Sequence, residues 1–278
     1  MAQTTFDQSP VRDDELHATL DLSGLPRSAF IPLLAAVYGA GLGLYLAVEP
    51  TKPWILLVLV ALVGLGTDGI LRTHPRAQLR GPADTAPFLF VPVLLALASG
   101  LFLEEIVTGY RTVPAVIGAS VLLAVALYGE YGALIAHGPS YALGRLLLNL
   151  LTYLAAFGFY AVVYAFDVDL VPGAAAVGLF SLLLAVEIFR EAEADAYQAL
   201  VFSAAIGVVV GEARWALYFI PLEGFLAALV LLLVFYLSTG LVQHHLTRDL
   251  NRTIAGEFAV VTAIGLAVVI IGRVFSIG

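Results

Sequence analysis

Glu130 lies in the stretch Leu127-Tyr128-Gly129-Glu130-Tyr131-Gly132, inside a long apolar run. An ionisable side chain at membrane depth is costly, so it is a functional candidate by default. His137 marks the end of that run, which puts Glu130 on the order of 10 Å inside a helix at 1.5 Å per residue. The flanking glycines allow a second helix or a ligand to come close. Two readings stay open: a carboxyl group that binds an ion or a proton, or a rim carboxylate paired with Arg145. Glu187 is the next candidate. It and Arg190 stand three apart and can pair on one helix face, and Glu191, Glu193 and Asp195 continue the run as a solvated helix extension. Asp68 is close enough to its helix end to reach the headgroups.

The densest polar patch within an apolar run is Glu212-Ala-Arg214-Trp215-Ala-Leu-Tyr218, followed by Pro221 and Glu223. Glu212 and Arg214 are separated by about 200° around a helix, so they do not pair with each other. The expected partners are Arg273 for Glu212 and Glu223 for Arg214. Those two ion pairs would lock helices 7, 8 and 9 together; the alternative is a ligand or ion site at Glu212. Asn149, Thr152 and Tyr153 form a polar stripe, suited to helix-to-helix hydrogen bonding or to a polar path. The ligand or ion candidates are therefore Glu130, Glu187, Glu212 and Asn149.

Several chemistries are set aside. His245 and Asp249, a His-x-x-x-Asp pair, lack an evident third ligand, so no metal site is expected. Glu104 and Glu105 stand too far from Arg111 for the motif of intramembrane prenyl endopeptidases, and no catalytic residue is assigned. No histidine lies mid-span and no lysine lies in any span, so bis-histidine haem and a retinal Schiff base are excluded and no cofactor is expected. There is no P-loop, Gly-x-Ser-x-Gly or His-Glu-x-x-His.

The elements that must hold these residues follow from composition. The chain has 278 residues, 61% of them hydrophobic and 12% charged, against about 45–50% and about 25% in soluble domains. Mean hydropathy is +0.97. These values exclude a soluble globular enzyme, a disordered chain and a coiled coil. Zero cysteines exclude disulfides and thiolate chemistry. A net charge of −8 argues against nucleic acid as a partner. The expected partners are the lipid bilayer and, with it, a membrane protein or a second copy of the chain.

Nine apolar segments are read at about 30–48, 54–71, 86–103, 112–136, 142–166, 170–190, 197–219, 221–243 and 256–277. They are too long and too unbroken for barrel strands, and lipid leaves continuous helices as the way to satisfy the backbone. The expectation is an all-α polytopic transmembrane bundle over 30–278, with an acidic cytoplasmic tail at 1–29, in the inner membrane of a bacterium. Pro53, Pro114, Pro172 and Pro221 each stand at a helix start, and Asp68, Glu130 and Glu187 follow the first three at 15 or 16 residues. This spacing suggests tandem helical hairpins.

The segment from Glu212 to Glu257 resembles uncharacterised bacterial multi-pass proteins that carry Glu-x-x-Trp-Ala-Leu before a proline. The resemblance covers under a fifth of the chain and implies no activity. The first functional expectation is a permease- or channel-like protein handling an ion, small solute or lipid. The alternative is a non-catalytic scaffold or subunit of a membrane complex, and the third is an intramembrane lipid-modifying enzyme.

Arginine placement sets the orientation. Arg12, Arg27, Arg72, Arg76, Arg80, Arg145, Arg190, Arg248 and Arg252 fall on one side, against Lys52, Arg111, Arg214 and Arg273 on the other. The positive-inside rule puts the N-terminus inside and the C-terminus outside. Trp54 and Trp215 then fall at the outer interface. A periplasm-active reporter fused after Gly278 should be active and a cytoplasm-active one silent; the reverse result would overturn this topology.

Overall fold

The computed structural model describes residues 30–73, 82–134, 140–190, 196–220, 222–247 and 251–276. The 1–29 tail lies outside these residues, as do His74, His137, Glu191, Glu193, Asp195, Pro221, Arg248 and Asp249, and with them the expectations placed there.

Among the described residues there are nine helices long and apolar enough to cross a membrane. They are α1 (Phe30–Ala47), α2 (Pro53–Arg72), α3 (Phe90–Ile106), α4 (Thr112–Ala133), α5 (Tyr141–Ala165), α6 (Leu170–Phe189), α7 (Ala196–Leu217), α8 (Gly224–Leu246) and α9 (Arg252–Ser276). The protein is an all-helical, multi-pass membrane protein. Three helix starts differ from the apolar boundaries by three or four residues. The eighth helix begins at Gly224 after an N-cap at Glu223, where 221 was expected, and the other two differ for local reasons. The third span opens with a 3-10 turn over Ala86–Leu89 that holds Pro87, so its α-helix begins at Phe90. The last helix begins before its apolar run because the Asn251 side chain accepts from the amides of Thr253 and Ile254, at 2.9 and 3.0 Å. A polar N-cap of this kind satisfies amides that the helix leaves open.

Helix α5 is the centre of the bundle. It packs against α3, α4, α6 and α8. One apolar core gathers side chains from α1 to α4, including Tyr38, Val63 and Leu123. The larger core runs from α3 to α8 around Tyr160, Leu184 and Phe235. Helix α9 stands outside both and leans on α8, where the Phe258 ring fills the space left by Gly240.

Lipid offers no hydrogen bonds, so hydroxyls within spans bond to their own helices. Thr67, Ser120, Thr152, Ser181, Thr239 and Thr262 each donate to the carbonyl four residues back, at 2.6–2.8 Å. Others tie helices together. Tyr38 donates to the Ala96 carbonyl at 3.0 Å, and the Tyr160 and Ser181 hydroxyls share a hydrogen at 2.6 Å.

The tightest helix pair is α6–α7. A Cβ added at Gly178 would stand 2.8 Å from the Gly207 carbonyl oxygen, and one at Gly207 would stand 2.6 Å from the Gly178 carbonyl oxygen. The two backbones touch there, and only glycine fits. Small residues at a crossing let membrane helices gain dispersion contacts that lipid does not supply. Gly207→Val should therefore lower stability by about 1–3 kcal/mol, the usual cost of overpacking. Gly158→Ala on α5 meets no atom within 4 Å and should be close to neutral. Thermal unfolding of both variants in detergent tests the contrast; equal midpoints would count against the contact.

Candidate functional site

Three helices bring four charges together at the arginine-rich end of the bundle. Glu130 comes from the last turn of α4, Arg145 from the second turn of α5, and Glu187 from the last turn of α6, with Arg190 directly after it. Their side chains are 0%, 4%, 1% and 18% exposed, so this is an interior cluster and not a solvated rim. Arg145 donates from Nη1 to Glu187 Oε1 at 2.7 Å and from Nη2 to the Glu187 carbonyl at 3.3 Å. Arg190 reaches the same Oε1 at 2.7 Å and also donates to Glu130 Oε2 at 3.0 Å. Two carboxylates thus face two guanidinium groups. On the other side of Arg190, the Phe88 ring lies 4.0 Å from its Cζ, a desolvated cation–π contact.

Local sequence explains the convergence. Gly129 and Gly144 face each other where α4 crosses α5, and a Cβ on Gly144 would stand 2.8 Å from the Gly129 carbonyl oxygen. That close crossing sets Glu130 and Arg145, each one residue further on, beside the same seam. Glu130 is three residues from the end of α4. Its depth is therefore only about one helical turn, shallower than the spacing to His137 suggests.

The sequence candidates separate into groups. Glu130 and Glu187 meet, through Arg190 and beside Arg145. The local Glu187–Arg190 pair forms as expected, whereas Arg145 turns to Glu187 in preference to Glu130. Asp68, at the matching spacing on α2, stays near the surface and pairs with Arg72 at 2.7 Å. Asn149 is half-buried on α5. Its neighbour Tyr153 shares a hydrogen with Thr239 of α8 at 3.3 Å, so part of that stripe joins helices. Glu257 is exposed at the start of α9, away from the cluster.

At the other end, the expected ion pairs are replaced by different contacts. Glu212 is exposed on the outer face of α7 and forms no ion pair among the described residues. Arg273 belongs to α9, whose main packing is on α8; α7 is not among its main neighbours, and the Glu212–Arg273 contact does not form. Arg214 points the opposite way from Glu212, as the 200° rotation requires, and is 2% exposed. It donates from Nη2 to the Val168 carbonyl at 3.2 Å. Its Cζ lies 4.2 Å from the Tyr164 ring centroid and 5.4 Å from that of Tyr218. Aromatic faces and a carbonyl take the place expected for Glu223, which is exposed at the N-cap of α8.

Sequence reasoning missed two features. The reach of Arg190 to α4 depends on tertiary crossing geometry, which leaves no trace in spacing. The Glu104 carboxylate collects hydrogen bonds from Tyr45 and from Thr51, the latter at 2.5 Å. Tyr45 within the first span was the available signal.

The family described as "Protein of unknown function (DUF5656)" matches residues 37–272. No curated protein and no solved structure matches the chain.

Removing one member of a buried ion pair leaves a charge without compensation, at about 3–5 kcal/mol. Glu187 accepts from two arginines and Glu130 from one. Glu187→Ala should therefore destabilise by about 3–5 kcal/mol and Glu130→Ala by less. Thermal unfolding in detergent ranks the two; an equal or reversed order would count against the geometry.

Proposed function

The chain belongs to the DUF5656 family, whose description assigns no activity, and we propose that it is a non-catalytic structural subunit of a membrane complex. The observation that carries this reading is the charge cluster. Glu130 and Glu187 are the two buried carboxylates among the four ion candidates, and each already faces a guanidinium group at 2.7–3.0 Å; Glu212, the third acid on which a permease reading could draw, is exposed on the face of α7 and not in the interior. A carboxylate that binds and releases a cation must be able to exchange partners. Here the competing cations are fixed to the same three helices. Their chemistry is cohesion: among the described residues, two carboxylates and two guanidinium groups hold one another where α4, α5 and α6 meet.

The reading takes the membrane to be the cytoplasmic one, and the arginine distribution supports an orientation with the cluster at the cytoplasmic end. The acidic tail then lies in the cytoplasm. Much of the remaining surface is apolar and suits both lipid and other membrane helices.

Reconstitution tests the reading. Liposomes holding the purified protein and a trapped pH dye should relax an imposed proton gradient at the rate of protein-free liposomes, and likewise for sodium and potassium gradients. A protein-dependent flux above that background would overturn the subunit reading, and its loss in Glu130→Gln, Glu187→Gln or Glu212→Gln would name the carboxylate that carries it.

A further inference from the structure

Helices α6 and α7 leave a groove on their outer face, beside the glycine contact. Its volume is about 690 Å³, and Ala174, Gly178, Leu182, Gly207, Gly211 and Glu212 are among its lining residues. All but Glu212 are apolar. Leu179 and Val208 flank the groove at 59% and 60% exposure. The floor is unusually low because glycine and alanine cover it, so another backbone can lie close to it.

One charge interrupts this surface. Glu212 stands five residues before the end of α7 at Leu217, about 7.5 Å into the span. Trp215 follows three residues later on the same face, is 46% exposed and lines the groove at its end. An exposed indole marks the headgroup level, so the Glu212 carboxylate sits about one turn beneath it. Arg214 is turned inward onto Tyr164, so it does not neutralise Glu212. A carboxylate just beneath the headgroups on an otherwise apolar face is unfavourable without a partner, and a cation at the same depth stabilises it.

We propose that the α6–α7 groove receives a transmembrane helix of a partner protein that carries one Arg or Lys about a turn inside its end, paired with Glu212. The proposal rests on the subunit reading and names the chemistry of the partner. A symmetric second copy does not fit. A two-fold axis along the membrane normal brings the same patch of both copies together, so each Glu212 would meet its equivalent at the same depth. A lipid chain fills the apolar part but offers Glu212 no cation from its acyl region.

The absence of cysteine in the sequence makes the test direct. Full-length protein carrying Val208→Cys, four residues deeper than Glu212 on the same face, is reconstituted in phosphatidylcholine vesicles. The probe is a synthetic Leu/Ala helix of about 22 residues, with one Arg near its end and one cysteine four residues deeper. A matched peptide has Gln in place of Arg. Disulfide formation should favour the Arg peptide by about fivefold, the ratio for roughly 1 kcal/mol of pairing. Glu212→Arg should abolish that preference and favour a Glu peptide. Leu57→Cys, exposed on α2, should show no preference.

Equal capture of Arg and Gln peptides would overturn the proposal, as would Val208→Cys protein that links mainly to itself. Because Glu212 is exposed, Glu212→Arg should keep the parent's thermal midpoint, which separates lost pairing from lost folding. Ion flux and peptide capture are read independently. A conducting protein that still captures the Arg peptide would refute the subunit reading alone, and a silent protein that captures neither would refute the groove alone.

Discussion

Glu187 Oε1 accepts from Arg145 and Arg190 at 2.7 Å each, and this shared oxygen fixes where α5 and α6 meet. Arg190 then carries the connection to Glu130 on α4. Isolated ionised groups are not tolerated in a low-dielectric interior, whereas a hydrogen-bonded set with zero net charge is. The three helices can therefore bury these side chains only together. Such a cluster contributes little net stability compared with an apolar replacement, but it punishes any misplacement of one member. It specifies which helices meet and in what rotation, a task for which uniformly apolar surfaces are poorly suited.

The middle of the bundle uses a different device. Between its ends, contacts such as Gly178–Gly207 bring backbones together, and hydroxyls bond within their own helices. Dispersion over closely approached surfaces replaces the hydrophobic effect, which vanishes between helices already in lipid. The arginine-rich end thus sets which helices pair, and the glycines set how near they come. The two devices meet on α6, which carries Glu187 at one end and Gly178 near its middle. This is consistent with α6 and α5 being the most buried spans.

Much of the fold was legible because lipid is a demanding solvent. Nine apolar runs had to be nine helices, and their boundaries shifted by no more than four residues, at Asn251 and Pro87 for identifiable local reasons. The charged candidates were legible as residues but not as partners. Glu187 and Arg190 could be paired from spacing because both lie on one helical turn. Glu130 with Arg190, and Arg214 with Tyr164, join helices distant in sequence, so no periodicity encodes them. The expected Glu212–Arg273 contact failed for the same reason. Position along a helix suggested that pair, but it says nothing about which helices are neighbours.

Glu212 and Arg214 show how two residues of one short segment acquire opposite fates. Their 200° separation sends one toward the core and one toward the bilayer. The inward arginine can be stabilised without a carboxylate because tyrosine faces and a carbonyl supply negative potential around it. No equivalent exists on the outward side. The groove around Glu212 is made of alanine, glycine, leucine and one indole, and none of these supplies a positive charge. The asymmetry follows from side-chain chemistry: π faces and a carbonyl offer a buried guanidinium negative potential, whereas a carboxylate at this depth needs donors. Among the described residues of the α6–α7 face none supplies such a donor, and this one acid is the feature of that surface on which the proposed partner rests.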